Sequence, residues 1–200
     1  MPSLATNCTS CGSISSSHVS SGGATCVGCA FGKEPTADRG GCQDCDAGEY
    51  SDGSACLSCP AGSMPEDDQS GCRQCQLDGD NMHSSDGVSC IACSPGSEPV
   101  ENRSACVACA SIGVAHVSST GAQCTVCGAG SQPNAERTAC VSCIEHGDSY
   151  FYSDQGEACL RCLPGTEPSL QRTSCVACVG KYSVDGRQCL SCATGAQPSL

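Results

Sequence analysis

The sequence predicts a small disulfide-rich fold, an elongated linear array of short β-hairpin and loop modules with almost no helix. All 24 cysteines of the 200-residue chain fall into twelve Cys-x-x-Cys pairs. The segments between the pairs alternate between two kinds, giving a period of 30 to 35 residues. Large side chains are scarce: Leu, Ile, Val and Phe total 26, Trp is absent and aromatic residues make up 3%. So thin a supply cannot fill a core for this length, and cross-links must order the chain module by module.

The pairs are Cys8 with Cys11, Cys26 with Cys29, Cys42 with Cys45, Cys56 with Cys59, Cys72 with Cys75, and Cys90 with Cys93. They continue as Cys106 with Cys109, Cys124 with Cys127, Cys140 with Cys143, Cys159 with Cys162, Cys175 with Cys178, and Cys189 with Cys192. The first kind of segment always places 12 residues between cysteines. Three positions after its opening cysteine stands Gly32, Gly62, Gly96, Gly130, Gly165 or Gly195; six after stands Pro35, Pro65, Pro99, Pro133, Pro168 or Pro198. A sharp turn followed by a φ-fixed extended residue is expected there. Arg39, Arg103, Arg137 and Arg172 recur three positions before the closing cysteine, with Gln69 taking that place once.

The second kind varies from 10 to 15 residues. It carries Tyr or His, then Ser, then a Gly three before the next cysteine, as in Tyr50-Ser51-Asp52-Gly53. A short strand leading into an Asp/Ser-Gly turn is expected, with the length variation at a surface loop tip. The module boundaries are a partial repeat at 1–25, repeats at 26–55, 56–89, 90–123, 124–158 and 159–188, and a truncated repeat at 189–200. Modules that contact mainly their neighbours predict a rod. Both chain ends fall inside a Gly-x-x-Pro segment, so the chain is expected to be a fragment of a longer array. Met1 is then expected to be internal, and a signal peptide and anchor to lie outside this chain.

Paired Cys-x-x-Cys motifs admit disulfides or four-cysteine zinc sites. The chain is acidic, with 21 Asp and Glu against 9 Lys and Arg for a net charge of −12. It also carries two N-glycosylation sequons, Asn7-Cys8-Thr9 and Asn102-Arg103-Ser104. Both features favour an oxidising route and disulfides. A ladder would join the second cysteine of each pair to the first of the next: Cys11–Cys26, Cys29–Cys42, Cys45–Cys56, Cys59–Cys72 and onward to Cys178–Cys189. It would leave Cys8 and Cys192 without partners. An interleaved pattern would instead use all 24 cysteines within six blocks. Both pairings stay open on spacing alone.

The string Cys56-Leu57-Ser58-Cys59-Pro60-Ala61-Gly62-Ser63-Met64-Pro65, closing at Cys72, resembles the cysteine-rich repeats related to ephrin receptors. Cys42-Gln43-Asp44-Cys45-Asp46-Ala47-Gly48-Glu49-Tyr50-Ser51, closing at Cys56, resembles them too. These repeats belong to the growth-factor-receptor cysteine-rich group, akin to tumour necrosis factor receptor modules. The chain is also similar to protist cysteine-rich surface proteins in its low aromatic content. The resemblance implies extracellular stalks or binding surfaces with ladder-like bridges.

Nothing in the chain builds a catalytic, cofactor or metal site by motif. A redox Cys-x-x-Cys needs a helix N-terminus that no interval supplies. His18, His83 and His116 read as strand residues in the Tyr slot, and only His146 falls outside the pattern. Leu77-Asp78-Gly79-Asp80-Asn81 lacks calcium-loop spacing and reads as a solvated loop. The recurrent Arg is expected to pack its stem over the core or to pair with Glu34, Glu98 or Glu167. Tyr150-Phe151-Tyr152, on the longest variable loop, is the aromatic tip at which a ligand is expected, if any module binds one. Scattered basic residues give no nucleic-acid footprint and no attraction to an anionic membrane. The expected function is a non-enzymatic extracellular or cell-surface segment, a stalk or binding and presentation module for a protein or glycan ligand. Membrane attachment is expected only through segments outside this chain. The alternative is an intracellular multi-zinc scaffold.

Overall fold

The computed structural model of the chain describes residues 7–146 and 151–199. Among these, ten two-stranded antiparallel sheets form. The Gly-x-x-Pro segments give three-residue strands, such as Lys33–Pro35 against Cys42–Asp44 and Ser63–Pro65 against Cys72–Gln74. In each the proline lies opposite the closing cysteine, as in Pro99↔Cys106 and Pro168↔Cys175. A two-stranded ribbon has only edges, so a residue without N–H is tolerated in it. The turn that joins the two strands puts Arg39, Gln69, Arg103, Arg137 and Arg172 at φ 53 to 59°. Among the described residues these are the non-glycine ones at positive φ, a region that disfavours side chains.

The second kind of segment forms two-residue strands, such as Glu49–Tyr50 against Leu57–Ser58 and Met82–His83 against Ile91–Ala92. Most of the length variation lies elsewhere than expected. Against Cys45–Cys56, the long segments gain one residue at the hairpin tip, and the rest of the added length lies between the opening cysteine and the first strand. Where the disulfide spans 15 or 16 residues, that stretch coils into a helical turn: Cys11–Ser13, Cys75–Leu77, Cys109–Ile112 and Cys143–His146. Where it spans 11, as in Cys45–Cys56, the chain runs to its strand without one. The turn tucks its cysteine inward, leaving Cys75, Cys109 and Cys143 fully buried while Cys45 stays half-buried.

Eleven disulfides cross-link the chain, with Cα–Cα distances of 5.4 to 5.8 Å. Of the two pairings open on spacing, they follow the ladder. In the Gly-x-x-Pro segments Cys29 bonds to Cys42, Cys59 to Cys72, Cys93 to Cys106, Cys127 to Cys140 and Cys162 to Cys175. In the others Cys11 bonds to Cys26, Cys45 to Cys56, Cys75 to Cys90, Cys109 to Cys124, Cys143 to Cys159 and Cys178 to Cys189. Cys8 and Cys192 are free. Cys59, Cys93, Cys127 and Cys162 are buried, whereas Cys29, in the first bridge of its kind, is half-buried.

The core consists of cysteine and serine more than of aliphatic side chains. Beside the buried cysteines lie Ser51, Ser84, Ser118, Ser153 and Ser183, with Val19, Ala115 and Val117 the few apolar additions. A buried hydroxyl must find a partner, and here each serine Oγ accepts the N–H of the glycine two or three residues on, at 3.0 to 3.1 Å.

Contacts divide the chain into two units, Met1–Ala92 with Val100–Ala105, and Cys93–Pro99 with Cys106–Leu200. Within the first, the serine backbones join successive segments. Gly32 N–H donates to Ser51 O and Ser51 N–H to Gln69 O; Gly62 N–H donates to Ser84 O and Ser84 N–H to Arg103 O. The second repeats the arrangement through Gly96, Ser118 and Arg137, and again through Gly130, Ser153 and Arg172. The approach is close. A Cβ at Gly87, whose φ is 78°, would lie 2.0 Å from the Cys59 carbonyl oxygen, so only glycine fits. The carbonyls of Cys29, Cys93, Cys127 and Cys162 meet the glycine of the following segment in the same way.

Candidate functional site

The most elaborated constellation in each module is its junction with the next, built from the recurrent Arg and from the residue before the strand proline. The left-handed turn aims the Arg39 guanidinium back at the carbonyls that follow the preceding helical turn. Its Nη1 donates to Ser16 O at 2.9 Å, His18 O at 3.1 Å and Ser15 O at 3.4 Å. Arg103 does the same to Asp80, Met82 and Gly79 at 2.9, 3.0 and 3.2 Å. Arg137 takes Val114, His116 and Gly113, and Arg172 donates to Phe151 O. A charged donor satisfying several backbone acceptors offsets the unfavourable φ of its own residue.

The expected pairing of this Arg with Glu34, Glu98 or Glu167 is therefore corrected. Those carboxylates serve a different partner, the backbone N–H of the cysteine that closes the following disulfide segment. Glu34 Oε2 accepts from Cys56 at 2.9 Å, Glu98 from Cys124 at 2.5 Å and Glu167 from Cys189 at 2.7 Å. Gln132 does this with its amide oxygen for Cys159, and Met64 with its sulfur for Cys90. The Cys56 N–H, and after it the Gln43 amide, hold Glu34 below the usual carboxylate range. Asp52 and Asp68 are lowered similarly by the hydroxyl and N–H of Ser54 and Ser70 in their turns.

The aromatic tip is corrected as well. Phe151–Tyr152 is a strand paired with Leu160–Arg161, and Arg161 lies over the Phe151 ring at 5.5 Å. Tyr150 lies outside the described residues, as do Met1 and the His146 side chain. His83 keeps the Tyr slot, directly before Ser84, but His18 and His116 stand one position earlier. There the slot belongs to Val19 and Val117, which are buried. His18 Nδ1 is 3.3 Å from Ser17 Oγ, while His116 Nδ1 is buried without a partner. In the 78–81 stretch, Asp78 pairs with Arg73 and the Asp80 carbonyl is held by Arg103. Cys45, Glu49 and Cys56 lie close enough together to ligate a metal, but the two sulfurs are joined in one disulfide. His83 with Cys93 and Cys106 is the same case, its sulfurs being bonded to each other.

Asn7 and Asn102 are exposed. No helix among the described residues is long and apolar enough to cross a membrane. No family model matches the chain, and no curated protein matches it. It is a disulfide-stabilised repeat of the general cysteine-rich kind. Sequence reasoning misses the roles of the serines and of the residue before the strand proline. The serine signal is present, a Ser directly after the Tyr slot and two or three before Gly, but its burial follows only from the junction.

Proposed function

We propose that the chain is a non-enzymatic extracellular or cell-surface segment, acting as a stalk or presenting a binding surface for a protein or glycan ligand. The observation that carries this reading is the ladder itself. Each Cys-x-x-Cys from Cys26 with Cys29 to Cys175 with Cys178 sends its two sulfurs to different bridges, as Cys26 to Cys11 but Cys29 to Cys42, and Cys124 to Cys109 but Cys127 to Cys140. Every such motif is a junction between modules, down to Cys159 with Cys162 and Cys175 with Cys178. Bridges at this density form and persist in oxidising compartments. The likeness to ephrin-receptor-type repeats supports the same placement, with membrane attachment supplied by segments outside this chain.

The engagement of the polar groups supports the non-enzymatic reading. The buried serine hydroxyls accept from glycine N–H groups, and the recurrent Arg and Glu serve backbone partners. An intracellular zinc scaffold would need four thiolates from two motifs on one ion, a different use of the same sulfurs. Thiol titration and intact mass under non-reducing conditions, with and without chelator, separate the two. Eleven chelator-insensitive disulfides are the expected result. Stoichiometric zinc, with thiols released on chelation, would overturn the reading.

A further inference from the structure

We propose that Asn102 carries an N-linked glycan, and that the turn on which it sits is what fits it for modification; the inference rests on the secretory reading above. Asn102 and Ser104 flank Arg103 in the turn between the strands Ser97–Pro99 and Cys106–Ala108. Asn102 Oδ1 accepts from Ser104 N at 3.1 Å and from Ser104 Oγ at 2.8 Å. The amide oxygen is thereby committed to the turn, and the exposed Nδ2 is left for chemistry. A hydroxyl donating to the amide oxygen draws electron density from nitrogen to oxygen and favours the imidate-like form, in which an Nδ2 proton is readily lost. Nδ2 can then attack the anomeric carbon of a glycosyl lipid diphosphate. The carbon–nitrogen bond forms, the carbon–oxygen bond to the diphosphate breaks with its electron pair, and the proton passes to a base of the transferase.

The fold supplies this turn in several modules, but the chemistry in one. At the same position Asp38 Oδ1 accepts from Gly40 N and Asp68 Oδ1 from Ser70 N, both at 3.0 Å. Those are carboxylates, without a nitrogen to modify. The backbone of Asn102 is packed, since a Cβ at Gly62 would lie 2.1 Å from its carbonyl oxygen. Asn102 is exposed and lines a cleft with Pro60, Ala61, Gln74 and Gln76. Asn7 is exposed too, but among the described residues no hydrogen bond joins it to Thr9, and the free Cys8 lies between them.

The test is to secrete the full chain from eukaryotic cells behind an added leader, release glycans with an amidase and map Asn-to-Asp conversion by peptide mass. Conversion at Asn102 in most molecules is expected, lost in Asn102→Gln and Ser104→Ala and retained in Ser104→Thr. Asp68→Asn, which places an amide in the equivalent turn two residues before Ser70, should add a second glycan. Secreted protein with its disulfides formed but Asn102 unmodified, or modified at Asn7 alone, overturns the proposal and leaves the secretory reading standing. Failure of Asp68→Asn to gain a glycan overturns the role given to the turn. Recovery of reduced, zinc-loaded chain overturns the secretory reading itself.

Discussion

Two neighbouring stretches of the first unit solve the same problem with different residues. The long segment Cys75–Cys90 begins with a helical turn, and the carbonyls of Gly79, Asp80 and Met82 after it converge on Arg103. The short segment Cys45–Cys56 has no such turn, and Gln69, in the place of that Arg, donates to Glu49 O alone at 3.2 Å. The long segments starting at Cys11, Cys109 and Cys143 are likewise followed by Arg39, Arg137 and Arg172. The one departure from Arg in the sequence is thus tied to segment length. Residue choice follows the number of carbonyls left to satisfy.

The most forceful way to break this comparison is to remove one bridge from each stretch. Loop closure alone assigns about 3 kcal/mol to either. Cys75 is fully buried whereas Cys45 is not. The double variant Cys75→Ala with Cys90→Ala should therefore lose a further ~1–2 kcal/mol to the cavity it leaves, beyond the loss in Cys45→Ala with Cys56→Ala. Native-state hydrogen exchange at the Ser84 and Ser51 amides, which report on the two junctions, reads the losses separately. Equal losses would mean that the helical turn adds nothing beyond chain length.

A sharper and smaller test exchanges the clamps. Arg103→Ala strands three carbonyls and should cost about 2 kcal/mol, whereas Gln69→Ala should cost about 1 kcal/mol or less. The backbone penalty cancels between them, because both residues stand in the left-handed region at φ 55° and 53°. Gln69→Arg should bring no stabilisation, since the short segment presents one acceptor. If it stabilises its junction as Arg103 does, segment length is not what selects the residue. Denaturant midpoints of the single variants and of the swapped pair decide it.

The alternation of segments, the Gly-x-x-Pro turns and the paucity of helix are legible in the chain because each rests on local backbone preference. Gly62 and Pro65 declare their turn and strand end by residue type alone. The bridges are legible only as a choice of two: spacing lets Cys29, Cys127 or Cys162 close its own segment or reach past a neighbour. In the structure the closing cysteine lies opposite the strand proline of its own segment and is bonded to the cysteine that opens it. The partners of Glu34 and Arg39 are not legible at all. An acidic and a basic residue five apart in one repeat invite pairing, yet the hairpin aims them at different modules, toward Cys56 N and toward Ser16 O. Side-chain direction across a left-handed turn is not encoded in spacing. Ser84 likewise reads as turn material, and it is buried only because Gly62 and Arg103 close over its backbone from both sides. The aromatic run Phe151–Tyr152 reads as a tip because its segment is the longest, but most of the added length lies before the strand.

The smallest expected effect separates a carboxylate junction from the sulfur junction beside it. Glu34 is half-buried, and the Cys56 N–H and then the Gln43 amide favour its ionised form. A carboxyl whose folded pKa is depressed stabilises the fold above its unfolded pKa, and that contribution fades as pH falls through the lower folded value. Protection of the Cys56 amide should therefore weaken on acidification. The Cys90 amide, which donates to Met64 Sδ at 3.3 Å, should keep its protection over the same range, because a thioether does not titrate. Glu34→Gln should make the Cys56 amide indifferent to pH, as Gln132 already provides a neutral acceptor for Cys159. Hydrogen exchange of the three cysteine amides between neutral and acidic pH, corrected for intrinsic rates, measures all of this in one series. Equal acid sensitivity at Cys56 and Cys90 would place the titrating group somewhere other than Glu34.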